Sequence, residues 1–484
     1  MRAFAVLVTL ALLVALPARP AAGQAGGEVN AATAERIARI ESSLIMPLQL
    51  EGRPVEQYTI RERMAHWGVP GVSVAVIDGG EVAWTKAWGV KDVDTGDPVT
   101  PTTLFQAASI SKPVAVMGML RLVEAGRLGL DEPVGSYLSS WAVPDHEFDE
   151  PVTLRRLASH TAGTNVHGFP GYARSAERPT TAGVLRGEGN TDAVVVEMEP
   201  GSRHRYSGGG TTILQLVVED VTGQPFEDYM AGAVLGPVGM TRSTFAQPLP
   251  EDRWDDAAAG HRSDGARVEG HWHSYPEKAA AGLWTTPADL ARLAVEVQRS
   301  LRGESNAVLS RRMTRTMLEP VQSEYGLGFG TEPDIGRFGH GGANAGFRAT
   351  LVAFRDGRGL AIMTNSDEGG AIAQELMMAI ARAYGWDEIA PPTLAVAELT
   401  AEQRDAIAGT WVMRGLPGRV TLTPTDDGLF RLESTIMRPT TYVPVSTERL
   451  VPLAPAPVIE VVWEDGRVVR LRAQGRELVR AEAR

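Results

Sequence analysis

Two β-hairpin patterns standing far apart in the chain constrain its fold more than any other feature. Residues 71–77 (GVSVAVI) are rich in β-branched side chains, Asp78-Gly79-Gly80 is turn chemistry, and residues 81–90 (EVAWTKAWGV) alternate as a return strand. The second pattern has strands at 348–354 and 360–365 around the turn at 355–359. Helical patterns lie between the hairpins and after the second one. The arrangement predicts an α+β domain in which one antiparallel sheet is assembled from both ends of the chain and flanked by helices. The intervening stretch then forms a second, mainly helical lobe, with a cleft at the junction.

Residues 104–122 (LFQAASISKPVAVMGMLRL) place a serine at the mouth of a helix. Small residues lead in at Ala107 and Ala108, Pro113 falls where a first turn tolerates it, and apolar residues continue at helical spacing to Gly126. A separation of three puts Ser109 and Lys112 on one helical face, so an amine can lie beside the hydroxyl. Helix N-terminal amides favour an oxyanion at the same place. The pair has the composition of a nucleophile with an adjacent base.

Two further motifs follow in order: Tyr206-Ser207-Gly208 in PGSRHRYSGGGTTILQLVVEDVTG, and His340-Gly341-Gly342 in RFGHGGANAGFRATLVAFRDG. With Ser109-Ile110-Ser111-Lys112 they resemble the serine β-lactamase and penicillin-binding protein superfamily. The likeness is to its class C-like branch of β-lactamases, carboxylesterases and D-amino-acid peptidases, and it covers about residues 55–384. It implies a β-lactamase/transpeptidase-like fold with all three motifs at the lobe junction. It also implies that Ser109 attacks a carbonyl and that Lys112 and Tyr206 share the proton. The oxyanion would rest on the N–H groups of Ser109 and Ala343, and His340, Gly341, Gly342, Ala343 and Gly208 would line the substrate site. Tyr206 would act either as a phenolate, which a cationic Lys112 or a charged His340 would favour, or by relaying a proton to a neutral Lys112.

Two departures shift the expected substrate. Gly208 stands where class C β-lactamases carry the amide of Y-x-N, and His340 replaces the permanent cation of K-T-G. A histidine largely neutral at neutral pH anchors a substrate carboxylate weakly, and lowering the pH should charge it. The resemblance therefore implies an esterase or D-amino-acid peptidase more than an efficient β-lactamase. A β-lactamase, or a penicillin-binding protein that is acylated with little turnover, is the alternative. An α/β hydrolase would need G-x-S-x-G, which the sequence lacks.

The expected partner is a small-molecule ester, peptide or β-lactam, with no cofactor and no metal. A formal net charge of −12 argues against nucleic acid. His271-Trp272-His273 is the only close histidine pair; alternation would put both on one strand face, but zinc needs more ligands. Residues 1–23 read as an export signal: Arg2, an apolar run at 3–16 too short to span a bilayer, then Ala21, Ala22 and Gly23. With no cysteine there is neither a lipid attachment site of that type nor a disulfide. The expectation is a periplasmic or secreted protein with no stable membrane anchor after signal cleavage. The patterns leave the oligomeric state unspecified.

Residues 28–390 read as the serine hydrolase domain. A helical approach over 28–64 carries Ile37, Ile40, Leu44 and Leu48 at near-helical spacing. Residues 154–163 read as a helix ending at Ser159-His160-Thr161-Ala162-Gly163, with His160 shaping the cleft wall, and 163–190 as a mobile loop over the cleft. Thr286 and Pro287 start a helix running through Val297. From 396 to 484, a short helical lead and six short strand patterns predict a small β-barrel or sandwich, which resembles the lipocalin-like appendage of some class C-like hydrolases.

Overall fold

The first hairpin pairs directly with the second. In this computed structural model, which describes residues 30–413, 418–435, 438–454 and 456–481, the strands are β1 (Gly71–Asp78), β2 (Glu81–Gly89), β3 (Gly330–Glu332), β4 (Arg337–Asn344), β5 (Phe347–Phe354) and β6 (Gly359–Thr364). They form a six-stranded antiparallel sheet in the order β2-β1-β6-β5-β4-β3. The β1–β6 seam joins the two ends of the large domain, with Val74 opposite Ile362 and Val76 opposite Leu360. The expected export signal at 1–23 lies outside the described residues.

The sheet is covered on both faces, which is why β1 is buried from Gly71 to Ile77. Side chains alternate across a strand. Val72, Val74 and Val76 pack with Leu376 and Ile380 of the helix Gly369–Tyr384 and with the N-terminal Ile40, Met64 and Trp67. Ala75 and Ile77 face the other way, into a larger core shared with the helices Ser111–Glu124 and Pro287–Arg302. Thr286 caps the latter helix by accepting the Asp289 N–H.

The approach over 28–64 is two helices rather than one, Ala31–Glu41 and Ile60–Trp67. Pro47 cannot continue a helix interior and Gly52 adopts φ +72°. The break is used: Leu44 bridges Tyr58, and Gln49–Leu50 runs parallel to Thr393–Leu394. Thr59 and Glu62 then form a capping box that restarts the helix. Arg63 in that second helix makes a buried bidentate pair with Glu375, at 2.7 and 2.6 Å, and Trp67 Nε1 donates to the same carboxylate at 3.0 Å.

Beyond residue 400 the chain closes an eight-stranded antiparallel barrel. A capping box at Thr400 and Gln403 opens the helical lead Ala401–Ile407, and Trp411, Phe430, Tyr442, Leu450 and Leu471 fill the interior. Six strands match the sequence patterns. The other two, Arg449–Pro452 and Arg476–Arg480, were not anticipated because each is short and has only one fully buried side chain, Leu450 or Leu478. Arg476–Arg480 nevertheless closes the barrel by pairing with the first strand, Trp411 opposite Arg480. The barrel is tied to the large domain by the Arg53–Asp427 ion pair at 2.5 Å and by Arg438, whose guanidinium donates to the His66 and Ser263 carbonyls.

Candidate active site

The segment before Ser109 is fixed by its neighbours. Phe105–Gln106 pairs with Trp284–Thr285, the Ala107 N–H donates to the Leu283 carbonyl, and Ser111 Oγ accepts the Leu283 N–H. Ala108 then adopts φ +50°, a conformation uncommon for a residue with a side chain, and a turn of 3-10 helix delivers Ser109 to the start of the helix Ser111–Glu124. Ser109 is half-buried, so its hydroxyl remains reachable.

Strand β4 passes close to this turn. A Cβ at Gly342 would lie 2.1 Å from the Ala107 carbonyl oxygen, so only glycine permits the approach. Strand β3 pairs with β4 only at residues 337–339, which leaves the edge from His340 onward open. The two-residue turn Ala345-Gly346 closes on the pair Asn344 and Phe347. Ala343 opposite Arg348 is therefore a non-hydrogen-bonded position, and its N–H points out from the open edge.

Lys112 is 3% exposed, and its Nζ donates to Ser109 Oγ at 3.0 Å and to the Ala280 carbonyl at 2.9 Å. Both partners are neutral oxygens. Burial without a counter-charge pushes the amine down from 10.5 to about 7. The ammonium position lies 4.9 Å from the centre of the Tyr206 ring.

Tyr206 precedes the helix Gly208–Thr222, whose cap is Ser207, and its phenol hydrogen-bonds to Ser109. Burial pushes that phenol up to about 12, against the lowering influence of the Ser109 bond. Of the two roles open to Tyr206 the phenolate is the disfavoured one: loss of solvent opposes the anion, and Lys112 is itself partly neutral at pH 7. The Ser109, Lys112 and Tyr206 side chains nonetheless meet as the motif order implies.

His340 stands near Tyr206, ring centres 6.1 Å apart. Its Nε2 lies 3.1 Å from Tyr325 Oη and its Nδ1 2.5 Å from the Gly341 carbonyl. Burial first, and then the neighbouring Lys112, push it down to about 4. The expectation that acidification would charge it is corrected accordingly: His340 stays neutral well below the pH at which Lys112 takes up its proton.

His160 ends its helix in the left-handed region, φ +57°, and its Nδ1 accepts the Ser207 N–H at 3.3 Å while its ring stacks 4.3 Å from Tyr206. Desolvation holds it well below the usual histidine range. Four residues of this wall carried no signal in the sequence. Tyr325 and His204 pack on His160, while His167 and Phe169 border Tyr206 and Gly208. They come from segments without periodicity and reach the site only through tertiary folding. His271 does not share a strand with His273: it sits in a turn at φ +79°, and His273 Nδ1 meets the Pro170 carbonyl.

The segment expected as a mobile loop is latched to the Tyr206 turn. Gly208 and Gly209 donate to the His167 and Val166 carbonyls, both at 3.0 Å, and Ser207 Oγ donates to the Asn165 carbonyl at 2.6 Å.

Comparison with known proteins shows the family and the fold. The family model described as Beta-lactamase matches residues 57–384, and the chain belongs to that family. Among curated relatives, Protein flp of Staphylococcus aureus is 25% identical over 315 residues, 61% of this chain and 60% of that protein. A putative D-alanyl-D-alanine carboxypeptidase of Escherichia coli O157:H7 is 28% identical over 262 residues, 47% of this chain and 59% of that protein. The chain thus spans about 60% of the length of the curated relatives it matches. Of solved structures, the octameric penicillin-binding protein homologue from Pyrococcus abyssi superposes with a TM-score of 0.61 at 22% identity, covering 87% of this chain and 98% of that one.

Proposed function

We propose that this protein is an exported serine hydrolase that cleaves an ester or amide through an acyl-Ser109 intermediate, of esterase or D-amino-acid peptidase type. The observation that carries the reading is the uncompensated Lys112 amine 3.0 Å from Ser109 Oγ. Near pH 7 about half of it is neutral and able to take the serine proton. Ser109 Oγ then bonds to the substrate carbonyl carbon, and the N–H groups of Ser109 and Ala343 receive the oxyanion. As the tetrahedral species collapses, the bond to the leaving group breaks and that group takes the proton from Lys112 through the Tyr206 hydroxyl. Tyr206, held as the neutral phenol, relays the proton rather than storing the charge. Water attacks the acyl carbon by the same route in reverse and frees Ser109.

Gly208 and the neutral His340 favour an ester or peptide over a β-lactam whose carboxylate needs a fixed cation. The carboxypeptidase name of the Escherichia coli relative supports the peptidase form. A penicillin-binding protein acylated with little turnover is the second reading, favoured by the likeness to the Pyrococcus abyssi homologue. Export rests on the pattern at 1–23, and the partner is a small molecule or peptide.

Incubation with a fluorophosphonate and, separately, with a penicillin, followed by intact mass and peptide mapping, tests the reading. The label is expected on Ser109. Label on another serine, or none on a protein that hydrolyses esters, sinks it. Stable penicilloylation without ester turnover selects the second reading.

A further inference from the structure

Gly208 lies two residues after Tyr206, and the space a side chain would take there is already filled. A Cβ at Gly208 would come within 2.9 Å of Phe169 Cε2 and 3.2 Å of the His167 carbonyl oxygen. Phe169 is half-buried, so part of the ring stays open beside the tyrosine turn, and the exposed His167 ring lies 5.0 Å from the Tyr206 ring.

The backbone that presents these rings is held under strain. Val166 has φ +56°, a conformation that a β-branched residue adopts only when its surroundings impose it. The carbonyls of Asn165, Val166 and His167 accept from Ser207 Oγ, Gly209 N–H and Gly208 N–H. Thr164 Oγ1 adds a bond to Ser207 Oγ at 2.9 Å. Glycines at 208, 209 and 210 permit the approach: a Cβ at 209 would meet the Asn165 carbonyl at 3.1 Å, and one at 210 Thr164 Oγ1 at 2.8 Å.

Among the described residues of the neighbouring segments the arginines have partners of their own: Arg174 over Trp254 at 4.0 Å, Arg178 on the Arg174 and Ala176 carbonyls, Arg203 on Met198 Sδ, and Arg205 with Glu197. Beside the Tyr206 turn, then, lies a partly exposed aromatic edge fixed by a strained loop.

We propose that Phe169 is a specificity-determining residue, and that it takes an apolar or aromatic group of a neutral ester or amide. The inference rests on the acyl-Ser109 reading. The group can belong to the acyl part or to the leaving alcohol, and two substrate series separate them: p-nitrophenyl esters from acetyl to hexanoyl with phenylacetyl, and acetate esters from ethyl to hexyl with benzyl.

In one series kcat/KM of the full-length protein should rise roughly three- to fourfold per added methylene, the gain that burying one methylene supplies. Phe169→Ala should flatten that slope, chiefly through KM, and leave the slope of the other series as it was. Phe169→Leu should keep the aliphatic slope and lose the preference for phenylacetyl or benzyl. Gly208→Asn, whose side chain must displace the ring, should flatten the same series. Flat profiles in wild type, or slopes that survive both Phe169→Ala and Gly208→Asn, overturn the proposal. Fluorophosphonate label on Ser109 with flat profiles overturns this proposal alone, whereas absence of label overturns the acyl-enzyme reading with it.

Discussion

Among the described residues of the large domain two cations are buried, Arg63 and Lys112, and their surroundings have opposite consequences. Arg63, on the face of the sheet covered by the helix Gly369–Tyr384, meets the Glu375 carboxylate twice, with the two side chains 6% and 1% exposed. Lys112, equally hidden, meets only Ser109 Oγ and a backbone carbonyl. The paired guanidinium joins the helices Ile60–Trp67 and Gly369–Tyr384. The unpaired amine loses much of its charge and becomes able to accept a proton. Burial is common to both; the counter-charge decides whether the result is a brace or a base.

Replacing Lys112 by Met should have the largest effect, a loss on the order of 10³-fold in kcat/KM, in the range for removal of a general base. Fold stability should not fall with it. Because the folded amine is depressed from 10.5 to about 7, its stability contribution is present above the unfolded value and lost as pH falls through about 7. Thermal melts should therefore show Lys112→Met gaining on wild type as the pH is lowered from 9 to 6. A loss of stability at pH 6 would place Lys112 with Arg63 as a structural cation.

Glu375→Ala should do the reverse. It strands Arg63 and removes the acceptor of Trp67 Nε1, for a cost of about 3–5 kcal/mol in denaturant unfolding. The rate per folded molecule should hold within about threefold, since the pair lies across the sheet from Ser109.

A buried carboxyl without a partner side chain sharpens the rule from the acidic side. Glu277 is fully buried at the head of the short helix Lys278–Ala281 whose Ala280 carbonyl holds Lys112, and neither of its carboxylate oxygens meets another residue. Burial pushes it up from 4.5 to about 7. With a raised folded value, its contribution is full below about 4.5 and lost as pH rises through about 7. Glu277→Gln should therefore gain in melting temperature over wild type between pH 5 and 8, the smallest of these effects. Parallel curves would show that the carboxylate has a partner in solution.

Much of this arrangement was legible in the residues. The hairpins at 71–90 and 348–365 announced a sheet built from both ends because alternation and turn chemistry are local signals, and Ser109, Lys112, Tyr206 and His340 came in an order that resembled a known family. What was hidden depends on packing. Periodicity carried the first helix through Leu44 and Leu48, but Pro47 and pairing with Thr393–Leu394 break it. The choice between phenolate and relay for Tyr206 stays open in the sequence because desolvation is a property of the folded cleft. Tyr325, His167 and Phe169 lie in segments with no pattern, and only the close approach to Gly208 shows why Phe169 matters.

The most direct test of the central claim, that Lys112 is a neutral base made by burial without a counter-charge, is the pH dependence of kcat/KM on an uncharged ester. The rate should rise tenfold per pH unit and level off at about pH 7, where Lys112 loses its proton, with no further inflection from His340 between pH 5 and 9. A profile flat across that range, or one still rising toward pH 10 as for an ordinary lysine, would contradict it.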